Sequence, residues 1–472
     1  MLIRDAEIYP TGQRQDVRVS GHRIAEIGRL QPVTDEFVIE ARGGALLPGL
    51  HDHHIHLMSY AASLNSLLCG PPAVKDADAF AATLGRPWGT DERGWIRGIG
   101  YQEQVAGDID RAWLDRRAPD RPIRIQHRSG RLWILNSAAL DVLASVDPTT
   151  SLPADGRLFD RDRELRNLLG ATQPPIAAAS QKLAALGLIG LTDMTPRNDD
   201  DTAAIFRQLR AEGDLLQRIR LAGAPSLSPG DAGGVSTGET KFHLHEADLP
   251  TFDTLVTGIR ESHDQGRAIA VHCVTRAELV FTLAAIQEAG SLPGDRIEHA
   301  SVAPDDVLPL IKELGLIVVT QPNFVAERGD TYLAEVEPED QPWLYRGRGF
   351  LDACIPLAAG SDAPFGDADP WAAMRAAVTR RTPNNHVLGA EEAVTPEQAL
   401  ALFLGEPDQP HIVREIRPGV QADMCLLIAD WRQARQHLSE GYVGATIIDG
   451  KLAWRREDFG NPSISRNGSL SA

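Results

Sequence analysis

The stretch LLPGLHDHHIHL, Leu46 to Leu57, decides how the rest of the chain reads. An apolar run broken by Pro48-Gly49 leads into Asp52, His54 and His56 in alternation. On a strand, residues two apart share a face. This alternation therefore predicts two imidazoles and a carboxylate pointing one way, with His51 and His53 turned toward the other, helix-side layer. Imidazole is the commonest protein ligand for metals, and a nearby carboxylate orients such a ring. Two alternating histidines alone fit a surface loop equally well, so the decision comes from downstream.

Seven further strand patterns follow: Ile189–Met194, Arg218–Gly223, Thr240–His245, Ala268–Cys273, Asp295–Ala300, Leu316–Gln321 and Ile355–Asp362. Helical periodicities separate most of them, such as Ala277–Gly290 and Asp305–Gly315, each stopped by its final glycine. Eight strands with intervening helices predict a (β/α)8 barrel over residues 48–58 and 176–410. A doubly wound sheet is the rival, but no Gly-rich turn follows His56. Thr395-Pro396-Glu397-Gln398 opens a late helix as a capping box. Residues 59–175 are too many for one loop, and read as an inserted subdomain near the barrel mouth. Short alternating strands at both ends, 1–47 and 411–456, predict one small β-sandwich made from the two termini. The polar segment 457–472 reads as a disordered tail.

Barrels keep their chemistry at strand C-terminal ends. Those ends carry His54 and His56, Lys241, His272, His299 and Asp362. In Ala268–Cys273 the small residues Ala268 and Ala270 share parity with His272, so His272 points inward. The same holds for Ala358, Gly360 and Asp362. Four histidines, a lysine and an aspartate on five strand ends with consistent parity form a set rather than a coincidence.

The set resembles the amidohydrolase superfamily: PGLHDHHIHL (48–57) is similar to its opening Asp-x-His-x-His, and HCVTRAE (272–278), RIEHA (296–300) and AGSDAP (359–364) to its later ligand strands. WIRGIGY (95–101), RPIRIQHRSG (121–130) with NSAAL (136–140), and DPWAAMRAAVTRRT (369–382) make amidohydrolase family 3, which includes N-substituted formamide deformylases, the nearer resemblance. It covers nearly the whole chain. The resemblance implies two divalent metal ions, with zinc expected. His54, His56 and Asp362 would hold one ion and His272 and His299 the second. Lys241 would bridge them as a carbamate, which arginine cannot form. It further implies attack of a metal-bridging hydroxide on an amide-like carbon, with Asp362 as general base and then acid. A mononuclear deaminase is the rival within the superfamily. Such deaminases tend to carry a glutamate just after the fifth-strand histidine, where this chain has Cys273-Val274-Thr275. An ester or lactone hydrolase shares the chemistry, and an inactive binding barrel would have lost ligands.

Secondary candidates are Asp52 behind the ligands, and His243 and His245, which share Lys241's parity. Tyr101, Phe324, Trp343 and Tyr345 are candidates for an apolar pocket lining, with the protein core as the alternative for each. Arg131 stands where family members usually carry a histidine, which fits a substrate carboxylate or an ordinary structural pair.

The chain has 472 residues and a net charge of −18, which excludes nucleic acid and anionic membranes as general partners. No apolar run approaches the roughly 20 residues of a membrane span. MLIRDAEIYP lacks a signal-peptide pattern, and Cys69, Cys273, Cys354 and Cys425 show no paired spacing. Reduced thiols, a cytoplasmic location and a small-molecule substrate are the expectation. Oligomeric state stays open, a homo-oligomer included.

Overall fold

The computed structural model describes residues 1–71, 73–85, 94–118, 120–170, 174–457, 459 and 463–464. The chain divides into two compact units, Met1–His56 with Ser180–Ala472, and Leu57–Ala179.

The first unit contains eight parallel strands: β1 (Leu50–Ile55), β2 (Leu188–Asp193), β3 (Arg218–Gly223), β4 (Val235–His243), β5 (Ile269–Cys273), β6 (Arg296–His299), β7 (Ile317–Thr320) and β8 (Leu357–Ala359). Each pairs with the next in chain order. Between β8 and β1 two bonds do the joining: Asp362 N donates to His54 O (2.8 Å), and His56 N donates to Ala363 O (2.9 Å). Gly360 permits this approach, since a Cβ there would lie 2.4 Å from His54 N. The sheet thus nearly closes on itself. β4 starts five residues before the predicted Thr240. Gly233 and Gly234, both at positive φ, turn a short hairpin that extends it backwards.

Helices return the chain between strands, and their ends carry the expected signals. Asp199 and Thr251 cap Asp200–Glu212 and Phe252–Asp264. Thr275 and Glu278 form a full capping box before Arg276–Ala289, as Thr395 and Gln398 do before Pro396–Ala401.

Strands from both chain ends make one nine-stranded sheet. Its central join is antiparallel, with Leu46 opposite Leu426 and Pro48 opposite Met424. Ile3, Val17, Ile39, Leu46, Met424, Leu426 and Ile447 share its buried core. Most of the expected disordered tail lies outside the described residues; within it, Ser463–Ile464 pair with Phe37–Val38.

The Leu57–Ala179 unit has its own five-stranded sheet and apolar core, with Phe80, Ile96, Tyr101, Ile123 and Ile125 fully buried. All four cysteines are unpaired. Among the described residues no helix is long and apolar enough to cross a membrane.

Candidate metal centre

The first strand does not keep the strict alternation its sequence predicts. Asp52 pairs with Leu191 and Ile55 with Asp193, so three residues of β1 span two of β2. This is a bulge, and it reverses parity. His51 Nε2 hydrogen-bonds Thr192 Oγ1 (2.9 Å), and Thr192 is in register with Arg220. Arg220 donates to Glu239, which also faces Arg296. His54 Nδ1, three residues after His51, hydrogen-bonds Glu298 on the same side. His51 and His53, whose rings lie 4.5 Å apart, therefore occupy the barrel interior and not the helix layer.

The same bulge removes Asp52 from the ligand face. Its Oδ1 accepts from His54 N and Ser361 N (3.0 Å each), and its Oδ2 accepts from Ser361 Oγ (2.5 Å). Asp52 pins the bulge to the segment leading into Asp362. Burial raises its pKa to about 6, against the opposing hydrogen bonds from Ser361 and His54.

Past the bulge, His54, His56 and Asp362 converge, with ligand atoms within 4.8 Å of one another. Asp362 Oδ1 lies 3.5 Å from His54 Nε2 and 3.2 Å from His56 Nε2. Two donors each about 2.1 Å from a tetrahedral ion would be about 3.4 Å apart, so this spacing fits a cation. The other ring nitrogens are engaged: His54 Nδ1 with Glu298, and His56 Nδ1 with Thr195 Oγ1 (3.1 Å). Nε2 of each ring is thereby left for a metal.

His272 and His299 stand beside this trio without joining it as a compact donor group. The His299 ring lies 4.8 Å from His54 and 4.5 Å from His272. His299 Nδ1 hydrogen-bonds Gln321 Oε1 (2.6 Å). His243 continues the row, 4.5 Å from His272, with His245 4.5 Å beyond. His243 is exposed and His245 half-buried, so both face accessible space next to the ligands.

Backbone strain marks two of these positions. His299 (φ 71°) and Asp362 (φ 55°) are left-handed without being glycine, at about 1–3 kcal/mol each, a cost that clusters at functional sites.

Lys241 is buried, and its Nζ has no hydrogen-bond partner among the described residues. Burial depresses its pKa, and the attraction of Glu298 and Asp362 opposes that only in part. Burial likewise keeps His54 and His272 well below the ordinary imidazole value, as the neutral rings that ligate metals. Asp362 goes the other way: burial resists its ionisation, but the hydrogen bond from His56 and the attraction of His54 and His299 hold it below the usual carboxylate range. The trio of donors and the orphaned amine beside them suit a divalent cation.

Sequence reasoning missed the support beneath His54. Glu298 is fully buried, and Arg296 Nε donates to its Oε1 (2.5 Å) while Arg296 Nη2 donates to His53 O (2.7 Å). The signal was present in RIEHA. Two charges at inward parity on a strand buried on both faces are out of place unless they pair.

Other candidates are placed elsewhere. Tyr101 is 1% exposed in the core of the second unit, with its hydroxyl on Gly107 O (2.6 Å). Arg131 pairs in bidentate fashion with Asp160 (Nε–Oδ1 2.8 Å, Nη2–Oδ2 2.5 Å). Phe324 and Tyr345 belong to a buried cluster with Val302, Val325, Leu344 and Leu388. Trp343 is half-buried at the end of a short 3-10 turn.

Comparison with known proteins agrees with this fold. The chain is 26% identical to the N-substituted formamide deformylase of Arthrobacter pascens, over 94% of this chain and 95% of that one. It is 24% identical to the putative amidohydrolase YtcJ of Bacillus subtilis (strain 168), over 90% and 91%. In fold it is similar to an uncharacterized metal-dependent hydrolase from Pyrococcus horikoshii OT3, with a TM-score of 0.73 and 19% identity over 94% and 99% of the two chains. A related structure from Pyrococcus furiosus gives 0.69 and 21% over 91% and 99%. The model of the amidohydrolase family matches residues 38–453. With that match spanning most of its length, the chain belongs to the amidohydrolase family, metal-dependent hydrolases that act on carbon–nitrogen bonds.

Proposed function

We propose that this protein cleaves a non-peptide, amide-like C–N bond of a small molecule such as a formamide, an N-acyl amine or a cyclic amide. Two divalent ions, with zinc expected, would be held by His54, His56 and Asp362 on one side and His272 and His299 on the other. Lys241, as a carbamate, would join them. The observation that carries this is the buried Lys241 amine, without a hydrogen-bond partner among the described residues, beside the three-donor cluster. An ammonium ion there is buried with no hydrogen-bond acceptor among the described residues; as a carbamate the lysine becomes an anionic ligand with two oxygens.

When bound, the ions lower the pKa of water toward about 7 and polarise the substrate carbonyl. The chain's own groups do the rest. Glu298 and Thr195 fix the His54 and His56 rings, so that Nε2 is the presented atom in each. Asp362 Oδ1 faces those rings, and Oδ2 takes a proton and returns it to the departing nitrogen.

A second reading, with one ion, draws on the fact that, among the described residues, only His54, His56 and Asp362 form a compact donor group. A deaminase or an ester or lactone hydrolase would fit that centre. Metal counting on zinc-loaded protein, with a hydrolysis screen over formamides, N-acyl amines, cyclic amides and lactones, separates the two. The two-ion reading expects two metals per chain and amide hydrolysis abolished by chelation. Lys241→Ala should then lower metal content and reduce activity at least about 100-fold. Undiminished hydrolysis in Lys241→Ala would rule the bridging role out.

A further inference from the structure

Several buried arginines of the first unit are tied to carbonyls or carboxylates. Arg267 donates to the carbonyls of Gly238, Ala224, Leu227 and Glu239. Arg380 donates to those of Leu388, Tyr345 and Leu344. Arg296 faces Glu298 and Glu239. Arg328 differs. It lies on the helix Asn323–Glu335 that follows β7, half-buried, with its guanidinium 4.2 Å over the Phe324 ring. Its Nη2 donates to Phe365 O, and the Tyr332 phenol lies close enough to interact with it. No carboxylate among the described residues is within ion-pair distance. The adjacent Glu327 turns its Oε1 to Asn323 Nδ2 (3.0 Å) and Asp367 N (2.9 Å). A guanidinium carries five N–H donors, so several are left over.

The surroundings locate this cation at the metal centre. Phe365, which accepts from Arg328, is three residues past Asp362, and its ring meets the His56 ring edge-on at 5.6 Å. Burial works against the Arg328 charge, but the nearby carboxylates of Glu327 and Asp362 favour it, and the guanidinium stays protonated. Tyr332 and Tyr345 share a hydroxyl–hydroxyl contact of 3.2 Å, adding a polar rim to an otherwise aromatic wall. A guanidinium stacked on an aromatic ring, with its fork uncommitted, is a receptor for a planar anion.

We propose that Arg328, assisted by Tyr332, receives a carboxylate carried by the substrate. On the amide-hydrolase reading, on which this rests, the substrate class is an N-acyl compound whose nitrogen substituent bears an anionic group, an N-acyl amino acid in its simplest form.

The test compares racemic N-formylphenylalanine with N-formylphenethylamine, which lacks only the carboxylate, on the zinc-loaded enzyme. The wild type should prefer the acid. Arg328→Met should raise KM for the acid about 10- to 100-fold, with kcat nearly kept and the amine substrate little changed. Arg328→Lys should recover part of the loss, because it keeps the charge without the fork. Equal losses on both substrates would assign Arg328 to the scaffold or to the reacting carbonyl, and would overturn the proposal. If neither compound is hydrolysed, the hydrolase reading is what fails for this class. The anion site is then decided by calorimetric binding of phenylalanine against phenethylamine. Phenylalanine binding weakened at least about tenfold in Arg328→Met, with phenethylamine unaffected, supports it; unchanged phenylalanine binding overturns it.

Discussion

The inside of the barrel and the inside of the Leu57–Ala179 unit are made of opposite materials. In the unit, Phe80, Ile96, Ile123 and Ile125 fill the space beside the sheet, and Tyr101 hides its hydroxyl on a carbonyl. In the barrel, Arg220, Glu239, Arg296 and Glu298 run as a chain of opposite charges toward Lys241 and His54. Burying ions costs several kcal/mol each, and pairing recovers only part of that. An apolar barrel of equal volume would be at least as stable. The difference teaches that the barrel interior is organised for its upper rim, where Glu298 must hold a histidine ring in one orientation.

The largest break of this contrast is expected on the apolar side. Phe80 stacks on Trp113 (centroids 5.1 Å, 19°) and meets Tyr101 at 5.3 Å. Phe80→Ala should destabilise its unit by about 3–5 kcal/mol, the usual cost of an emptied aromatic site. Metal content per folded chain should not change. A parallel fall in metal content would show that the two interiors are not independent.

Next in size is the charged side. Glu298→Gln keeps the shape but leaves the His54 Nδ1–H facing a weaker, neutral acceptor. Zinc affinity, measured by competition with a chromophoric chelator, should drop about 10- to 100-fold. Thermal stability of the metal-free protein should also fall, because the change strips the buried Arg296 guanidinium of its nearest carboxylate. If affinity is unchanged and stability collapses, the network is packing and not support for the site.

Most of the fold was legible because buried parallel strands alternate small inward residues with branched outward ones, as in Ala268–Cys273 and Leu357–Asp362. The eight strands and the helix caps follow from local chemistry of that kind. What stayed hidden was whatever one residue of offset can change. The bulge between Asp52 and Ile55 reverses parity. It brings His51 and His53 into the interior and takes Asp52 off the ligand face, and no pattern within the twelve residues marks it. The closure at Gly360 is equally silent, since its reason is the backbone of His54, some three hundred residues earlier. Arg328 escaped because the strand-end rule looks at strands, and it sits on a helix.

The smallest effect concerns what a buried carboxylate does without a cation. Glu239, between Arg220 and Arg296, has a pKa below its ordinary value: burial pushes it up, and the two guanidinium groups more than reverse that. Asp369, the N-cap of Pro370–Thr379, forms no ion pair among the described residues. Burial raises it to about 6, with Glu440 and Asp367 adding repulsion, against the Trp371 N–H and the attraction of Arg375. A carboxyl group whose folded pKa lies above its unfolded value binds its proton more tightly in the folded state. Its ionisation therefore lowers stability as pH rises from about 4 to about 6, by on the order of 1–2 kcal/mol after allowance for partial exposure. Asp369→Asn keeps an oxygen for Trp371 N–H and cannot ionise. Urea midpoints between pH 4.5 and 6.5 should decline for the wild type relative to Asp369→Asn, with the curves converging at the acid end. Parallel curves would mean that the cap carries its charge without penalty, and that a paired cation is not what distinguishes Glu239 from Asp369.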